Sequence, residues 1–286
     1  ALAGGVGSRV APWPLRPQGN GVIGLFMRHG VAEESCALGD QAGQRSKQGC
    51  CSAADAADAR RVAVRLGIPF YALNFEAEFD RIIDYFVEQY SAGRTPNPCV
   101  VCNTWLKFGR LFAYAGSVGA ERVATGHYAR LVATEDPALP ALCRGADPDK
   151  DQSYVLFGIQ RSRLGRLALP VGDYAKPDIR RIAAELGLRV AHKPDSQEIC
   201  FVPDQDHARF IRQRRPQQDF SGEIVTTDGQ VVGRHDGIER FTVGQRKGLG
   251  LAFGEPRYVV RIEADTRRVV LGTHQDLACN ELTAGS

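Results

Sequence analysis

Residues 52–73 read SAADAADARRVAVRLGIPFYAL and contain the signals of a complete helix followed by a strand. Ser52 is suited to cap a helix, Asp55 lies three residues later as in a capping box, and Gly67 follows the last turn. The pattern predicts a short strand at 68–73, after Gly67, and a buried strand at 21–27 (GVIGLFM), before the helix. A strand, a helix and a second strand in this order predict a crossover between parallel strands.

Strand and helix patterns continue to alternate through the first two-thirds of the chain. Apolar residues recur at helical spacing from Phe75 to Tyr90, which predicts a strong amphipathic helix. The other predicted elements here are helices at 104–114 and 177–186 and a strand at 121–125. The fold class is therefore α/β with a mostly parallel sheet, and ligands are expected at the carboxyl ends of its strands.

The pattern changes near residue 203, which we take as a domain boundary. Two hairpins are predicted beyond it, one at 223–234 with a turn at Asp228-Gly229 and one at 258–271. The sequence therefore predicts an α/β domain at 1–203 and a small β-rich domain at 204–272. Residues 273–286 begin a further element, and the first residue, Ala1, indicates a processed or cut start.

The composition excludes several classes of protein. The chain has 286 residues, 43% of them hydrophobic and 24% charged, which is ordinary for globular domains and not for disordered or collagen-like chains. No run of about 18 apolar residues occurs, so no membrane span is expected. The net charge of +3 is compatible with a nucleic-acid partner without requiring one. Eight irregularly spaced cysteines predict a cytoplasmic protein with a few reactive thiols rather than a disulfide scaffold.

A glycine-rich turn lies near the start of the chain, at residues 3–8 (AGGVGS). Such a turn between a strand and a helix aims backbone N–H groups at phosphate oxygens, although glycine-rich turns are also common without a ligand. Pro12, Pro14 and Pro17 follow where the phosphate-facing helix would run. Because each interior proline costs about 3 kcal/mol, the first helix is expected to be short or broken.

The pair Cys99 and Cys102 is compatible with metal binding, redox exchange or nucleophilic catalysis. A structural zinc site would need a second such pair, which the sequence lacks. The neighbouring prolines place Cys99 just before a helix expected from Thr104, where thiols tend to have a lowered pKa. The alternative is a pair of buried thiols in a turn.

Other motifs place polar or thiol side chains at the edges of predicted elements. They are Ala124 to Tyr128 after a strand, Asp147 to Tyr154 in a polar loop, Asp195 to Phe201 at the domain boundary, and the arginines 209, 212, 214 and 215. Each also has an ordinary structural interpretation, as a hydrogen-bonded histidine, a solvated loop, a structural cysteine or a solvated helix face. Their combination is far more specific than any one of them.

Together these motifs resemble those of the tRNA-specific 2-thiouridylases of bacteria and mitochondria, the MnmA/TrmU family. The stretches that carry the resemblance are GLFMR (24–28), CCSAADAADARRVA (50–63), AGRTPNPCVVCN (92–103), LKFG (106–109), ATGHYAR (124–130), KDQSYVLF (150–157), SQEICF (196–201) and TVGQRKGLG (242–250). The resemblance covers nearly the whole chain.

The resemblance implies a parallel-sheet ATP-pyrophosphatase domain (PP-loop, adenine nucleotide alpha hydrolase-like) followed by the small β-rich domain. It implies a tRNA-uridine 2-sulfurtransferase that uses ATP with Mg²⁺ to adenylate the C2 oxygen of the wobble uridine, U34, and then replaces that oxygen with sulfur. The implied partners are tRNAs for Lys, Glu and Gln and a sulfur donor, either a sulfur-relay protein or a cysteine desulfurase. No membrane partner is implied, and the implied location is the cytoplasm.

Residue roles are carried over from the resemblance position by position. Cys200 matches the family's persulfide-bearing cysteine, and Cys102 matches the partner nucleophile with which it forms a disulfide. The positions that match ATP contacts are Ala3, Gly4, Gly5, Val6, Gly7, Ser8, Met27 and Gly126. The positions that match target-base contacts are Asn97, Pro98 and Cys99, and those that match other tRNA contacts are His127, Lys150, Asp151 and Gln152.

The chain departs from the family's pattern in three places. Its phosphate loop has Ala3, Gly7 and Arg9 where the family has serine, aspartate and serine. Cys99 stands where many members have aspartate, and the chain ends at about the first strand of the family's C-terminal β-barrel.

Two alternatives to ATP-dependent persulfide transfer stay open from the sequence. Cys99, Cys102 and Cys200 would hold three irons of a [4Fe–4S] cluster in an iron–sulfur-dependent thiolase, with the fourth iron open to sulfide. The altered phosphate loop instead favours a catalytically impaired remnant that binds RNA. An amide-forming ATP-pyrophosphatase is disfavoured, since it needs no paired cysteines of this kind.

Overall fold

A computed structural model of the chain describes residues 1–2, 5–15, 19–28, 53–136, 139–192, 199–202 and 204–279. Its α-helices are α1 (Val6–Val10), α2 (Ala53–Leu66), α3 (Glu76–Ser91), α4 (Pro98–Val101), α5 (Leu111–Ser117), α6 (Lys176–Glu185) and α7 (His207–Arg214), with a π-helix at Cys102–Arg110. Its strands are β1 (Gly24–Arg28), β2 (Phe70–Asn74), β3 (Val123–Ala124), β4 (Ala129–Val132), β5 (Ala141–Arg144), β6 (Leu167–Ala168), β7 (Gly222–Thr226), β8 (Val231–His235), β9 (Tyr258–Glu263) and β10 (Arg268–Gly272). Short 3₁₀ helices lie at Trp13–Leu15, Ser153–Leu156, Arg161–Arg166, Arg189–His192, Ile238–Arg240 and Gln275–Leu277.

These elements form two compact units. The first comprises Ala1–Ile82 and Pro98–Gln205, and the second comprises Ile83–Asn97 and Asp206–Ser286. Helix α3 therefore begins in the first unit and ends in the second. None of the helices in the described ranges combines the length and the apolar character needed to cross a bilayer.

Parallel strands organise the first unit. Strand β1 pairs with β2, with Gly24 opposite Phe70, and β3 pairs with β6. Leu2 forms a parallel bridge with Phe26 of β1. The first residues of the chain therefore lie along one edge of β1, and β2 lies along the other. The amino group of Ala1 in turn contacts the carbonyl of Ala124, at the end of β3. The predicted α/β class with parallel strands is confirmed.

Helix α3 confirms the predicted amphipathic helix. Its buried face consists of Phe79, Ile82, Ile83, Phe86 and Val87, each at most 2% exposed. Full burial of a side chain of this kind stabilises the fold by about 1.5–3 kcal/mol. The apolar repeat is strong enough to fix this helix from sequence alone.

Helix α1 has only five residues, as the prolines predict. The N–H of Ala11 closes its last turn on the carbonyl of Gly7 at 3.0 Å, and Pro12 follows. Helix α2 begins at Ala53; its predicted cap, Ser52, lies outside the described residues, as does Pro17.

The helical run after the cysteine pair differs from the prediction at its start. Helix begins at Pro98 rather than near Thr104, because proline fits the first helical position, where its missing N–H is not needed. Cys99 therefore lies inside the first turn and not before the helix. From Cys102 to Arg110 the backbone is π-helical, and the N–H of Leu111 reaches the carbonyl of Leu106. π-Helical stretches are rare in proteins, and those that occur are often found at functional sites.

A hairpin of β4 and β5 was not predicted. The two strands are antiparallel, with Ala129 opposite Arg144 and Val132 opposite Ala141. Each has four residues, which is too short for a periodic pattern to stand out from the sequence.

The second unit contains a four-stranded sheet in the order β8-β7-β10-β9. Both predicted hairpins are present as antiparallel pairs, and β7 and β10 pair in parallel between them. Gly229 has a φ of 86°, which glycine adopts readily, and it turns the first hairpin at the predicted position. The predicted β-rich character of this region is confirmed.

Candidate functional site

The glycine-rich turn and Gly126 meet at the carboxyl edge of the parallel strands. A Cβ placed on Gly126 would lie 2.2 Å from the backbone nitrogen of Ser8, so the two backbones touch there. A Cβ on Gly7 would likewise lie 3.0 Å from the carbonyl oxygen of Gly126. No described atom lies within 4 Å of the Cβ position of Gly5, which therefore faces open space. The structure thus brings together Gly7, Ser8 and Gly126, three of the positions that match ATP contacts.

The remaining positions that match ATP contacts lie around this point or outside the described chain. Val6 is buried in α1, and Met27 is buried in β1, next to the segment that begins the chain. Ala3 and Gly4 are outside the described residues.

Arg9, which replaces a serine of the family's loop, is entirely buried between α1 and α2. Its guanidinium donates to Asp55 Oδ1 at 2.8 Å and to Asp58 Oδ2 at 3.3 Å. This ion pair was not predicted from the sequence. A signal was present, since Asp55 and Asp58 lie one turn apart on the predicted helix and share a face.

His127 is a buried side chain rather than an exposed one. It is 7% exposed, its Nδ1 lies 2.8 Å from Thr125 Oγ1, and its ring lies 5.8 Å from that of Phe108. Desolvation by burial holds the pKa of His127 well below its usual value, and the positive charge of Lys107 lowers it further. The imidazole is therefore neutral at pH 7 and offers no positive charge to an RNA phosphate.

The free energy of unfolding is expected to fall as the pH drops below the ordinary histidine pKa of 6.5. The native state keeps His127 neutral, whereas the unfolded chain binds a proton below that pH, so protonation favours unfolding. The loss is at most about 1.4 kcal/mol per pH unit. Urea denaturation at about pH 7 and about pH 5.5 checks this. His127→Gln should show a smaller pH dependence, and equal dependence in both proteins would contradict the assignment.

Asp151 and Gln152 join the polar loop to the β4–β5 hairpin. Asp151 accepts from the N–H of Gly145 at 2.9 Å and from the hydroxyl of Ser153 at 2.8 Å, while Gln152 Oε1 accepts from the N–H of Tyr128 at 3.1 Å. Partial desolvation acts to raise the pKa of Asp151, but these hydrogen bonds outweigh it and the net shift is downward. Both side chains therefore hold the loop that presents Lys150, which is half-buried.

The cysteine pair lies beside this loop. Helix α4 and the π-helix pack against the 3₁₀ helix Ser153–Leu156, which follows Gln152. Pro98 is buried, Asn97 and Cys99 are exposed, and Cys102 is half-buried. Asn103 is buried, and its side-chain amide donates to the carbonyl of Cys99 at 2.9 Å, which ties the first turn together.

Helix α3 contacts the segments of both cysteines. Phe79 packs edge-to-face on Phe201, the neighbour of half-buried Cys200, with ring centroids 5.7 Å apart. On the adjacent side of α3, Glu78 pairs with Arg110 at the end of the π-helix that begins at Cys102, at 2.7 Å. The first turn of α3 thus contacts both Phe201 and Arg110, the last residue of the π-helix that begins at Cys102.

The iron–sulfur alternative is not supported by this arrangement. In the described ranges, which include Cys99, Cys102 and Cys200, no three His, Cys, Asp or Glu side chains gather as a metal site. A cluster with three cysteine ligands would need these thiols together.

The arginines of α7 are partly structural. Arg212 donates to Glu239, a fully buried carboxylate, at 2.8 Å, and Arg214 lies over the ring of Phe210 at 5.4 Å. Arg212 therefore stabilises the second unit through this ion pair. The charge pattern of the sequence alone does not distinguish such a structural arginine from one that contacts phosphate.

Two protein-family models match the chain. One, described as the tRNA methyl transferase HUP domain, matches residues 1–204, and the other, described as the tRNA methyl transferase PRC-barrel domain, matches residues 208–273. The tRNA-specific 2-thiouridylase MnmA of Rhodopirellula baltica is 55% identical over 97% of this chain and 74% of its own length. The chain belongs to the MnmA family of tRNA-specific 2-thiouridylases. The MnmA proteins of Geobacter metallireducens (47% identical, 99% of this chain, 76% of the relative) and Lachnoclostridium phytofermentans (44%, 99% and 78%) agree with this.

Membership of the MnmA family confirms the resemblance drawn from the motifs. The chain spans about three-quarters of the length of these MnmA relatives. The two family models adjoin between residues 204 and 208, where the parallel α/β pattern gives way to hairpins. The MnmA motifs at 97–103, 124–130 and 150–157 coincide with the neighbouring segments described above.

Proposed function

We propose that this chain catalyses ATP-dependent 2-thiolation of the wobble uridine of tRNA. The observation that carries the proposal is the continuity of the site. The glycine-rich turn touches Gly126, Tyr128 two residues later hydrogen-bonds Gln152 of the polar loop, and the 3₁₀ helix after Gln152 packs against the helix of Cys102. The backbone proposed to face the nucleotide, the loop proposed to contact tRNA and the helix of Cys102 are therefore neighbours within the first unit.

The proposed reaction has two chemical steps. The C2 oxygen of the uridine first attacks the α-phosphorus of ATP, and pyrophosphate leaves. A carbonyl oxygen is a poor leaving group, whereas the resulting AMP is a good one. The terminal sulfur of a Cys200 persulfide then attacks C2, and AMP leaves with the oxygen.

Cys102 completes the transfer. Its thiolate attacks the inner sulfur of Cys200, the bond to the transferred sulfur breaks, and a disulfide between the two cysteines forms. In the second route the same attack releases sulfide, which then reacts with C2. Either route leaves an oxidised pair that a cellular thiol reductant must reduce, and a cysteine desulfurase or sulfur-relay protein then reloads Cys200.

The residues at the glycine-rich turn fit the phosphates of a nucleoside triphosphate. The open space at Gly5 leaves room for phosphate oxygens, and the contact between Gly126 and Ser8 closes the turn from the other side. Mg²⁺ would neutralise charge on the phosphates and would be held largely by them, since the described residues gather no cluster of three ligands. Arg9 is occupied by Asp55 and contributes no phosphate contact.

The assay that tests the function incubates the protein with ATP, Mg²⁺, a lysine-type tRNA transcript, a cysteine desulfurase and cysteine. Nucleoside mass spectrometry should show 2-thiouridine at U34, with pyrophosphate and AMP released in equal amounts. Glutamate- and glutamine-type tRNAs should react as well. Both matching families are named for tRNA methyl transferases, so formation of a methylated nucleoside from S-adenosylmethionine, with no 2-thiouridine, would overturn the proposal.

Gly5→Ala is expected to weaken ATP binding without destabilising the protein. Gly5 has φ −86° and ψ 155°, which alanine adopts, and its Cβ would meet only open space. A methyl group placed where phosphate oxygens approach should raise the Kd for ATP roughly tenfold, or about 1.4 kcal/mol. Isothermal titration calorimetry and thermal melting measure the two effects.

Gly126→Ala provides the contrast to that variant. Its Cβ would overlap the backbone of Ser8, so both the melting temperature and ATP binding should fall. Unchanged ATP affinity in Gly5→Ala would place the phosphates elsewhere.

A further inference from the structure

A groove of about 380 Å³ runs along the π-helix Cys102–Arg110 in the first unit. Its lining includes Arg81 of α3, Trp105 and Gly109 of the π-helix, and Gly158 and Arg163 beyond the polar loop. Its volume lies within the range of about 300–1,000 Å³ that is usual for small-ligand sites. None of these residues has a role in the proposed reaction.

Trp105 is the most exposed aromatic residue that lines this groove. Its side chain is 43% exposed, although large aromatic residues are usually more buried, and the guanidinium of Arg81 lies 5.6 Å from its ring centroid. Phe157, next to the lining residue Gly158, is 74% exposed. Unpaired RNA bases commonly stack on exposed aromatic side chains and on arginine guanidinium groups.

Arg163 supplies a fixed positive charge at the groove. It donates to the backbone carbonyl of Phe108, and its guanidinium lies 5.7 Å from the ring of Phe112. The groove's described lining contains two arginines and no carboxylate, so it complements a polyanion. Gly158 lets the lining approach the π-helix closely, because a Cβ there would lie 2.2 Å from Thr104 Oγ1.

We propose that this groove binds a base of the tRNA loop adjacent to the target uridine, stacked on Trp105, with Arg81 and Arg163 facing the flanking phosphates. The proposal rests on the proposed function, which brings the target uridine to Cys102. Trp105 follows Cys102 by three residues in the same π-helical run, so the two side chains leave the helix within one turn of each other along its axis. Loop bases that are already unpaired stack on a protein at little cost.

Tryptophan fluorescence gives a readout that does not depend on activity. The chain has two tryptophans, Trp13 and Trp105, so Trp13→Phe leaves Trp105 as the sole indole. Titration of this variant with a lysine-type tRNA transcript should quench its emission, because a stacked base quenches indole fluorescence. A series of transcripts, each with one abasic position in the anticodon loop, should then be titrated. All but one should quench the emission, and the abasic position that binds without quenching identifies the stacked nucleotide.

Affinity measurements on the otherwise natural chain complete the test. Trp105→Ala should weaken tRNA binding roughly 5- to 100-fold, the value of one stacked base, whereas Trp105→Phe should recover most of the affinity. Arg110→Ala is the matched control, since Arg110 is exposed on the same helix and pairs with Glu78 but does not line the groove. It should change affinity less than Trp105→Ala does, and melting curves verify folding of each variant.

The outcomes separate this proposal from the proposed function. Wild-type affinity in Trp105→Ala, or tRNA binding that leaves Trp105 emission unchanged in Trp13→Phe, overturns the groove even if 2-thiouridine forms. Quenching together with the predicted affinity loss supports the groove even if the chain forms no 2-thiouridine, in which case the reaction alone is wrong.

Discussion

Cys200→Ser is expected to abolish formation of 2-thiouridine while tRNA affinity stays within about twofold of the wild-type value. A serine hydroxyl cannot carry the sulfane sulfur, so no nucleophilic sulfur reaches C2. The rate should fall roughly 10³-fold or more, as for removal of other covalent nucleophiles. Single-turnover assays with the persulfide donor, read by nucleoside mass spectrometry, measure the rate, and filter binding measures the affinity.

Cys102→Ser should fail at a later point. The persulfide on Cys200 should still form and be detectable on the intact protein as one added sulfur atom, while its transfer stops. Cys143→Ser is the control, because Cys143 is half-buried in β5 and has no part in the proposed chemistry. Thiolation that survives in Cys200→Ser would refute the assignment of this residue, and full activity in Cys102→Ser would remove the disulfide step.

Asp55→Asn is expected to destabilise the protein by about 3–5 kcal/mol, because it leaves the guanidinium of Arg9 buried without its principal carboxylate. That is a large share of the roughly 5–15 kcal/mol that holds a typical domain together. Asp58→Asn is the matched control on the same helix. The Asp58 side chain is 24% exposed and 3.3 Å from Arg9, so its loss should cost about 1 kcal/mol or less.

Urea denaturation followed by circular dichroism compares these two variants. If Asp55→Asn does not fold, the double variant Arg9→Met with Asp55→Leu tests the same point, since apolar replacement of both partners of a buried ion pair is often neutral. Recovery of stability in the double variant is expected. If both Asp55→Asn and Asp58→Asn lowered the free energy of unfolding by the same small amount, the charge of Arg9 would have to be compensated by groups other than Asp55.

Patterns that are local in sequence predicted much of the fold. The apolar repeat of α3, the helix that ends before Gly67 and the turn at Gly229 depend on neighbouring residues, and each is present. The hairpin of β4 and β5 could not be predicted in the same way, because its strands are short. The allocation of residues 83–97 to the second unit is likewise a tertiary property, decided by packing and not by composition.

The candidate site shows the same division. Motif residues such as Gly126, Cys102 and Gln152 stand out from the sequence by their resemblance to a family. Their surroundings depend on distant partners: Gly126 meets Ser8, and Gln152 meets Tyr128. The burial of His127 against Phe108 and the pairing of Arg9 with Asp55 also required the folded chain, since each joins elements far apart in sequence.

The π-helical stretch makes the angular position of the Cys102 thiol depend on the number of residues in the segment. A π-turn contains more residues than an α-turn, so removing one residue would let the backbone rewind and swing the thiol around the axis while Arg110 kept its pairing with Glu78. Deletion of a single residue in this segment would thus change the direction in which the Cys102 thiol points, while the thiol itself stayed chemically the same.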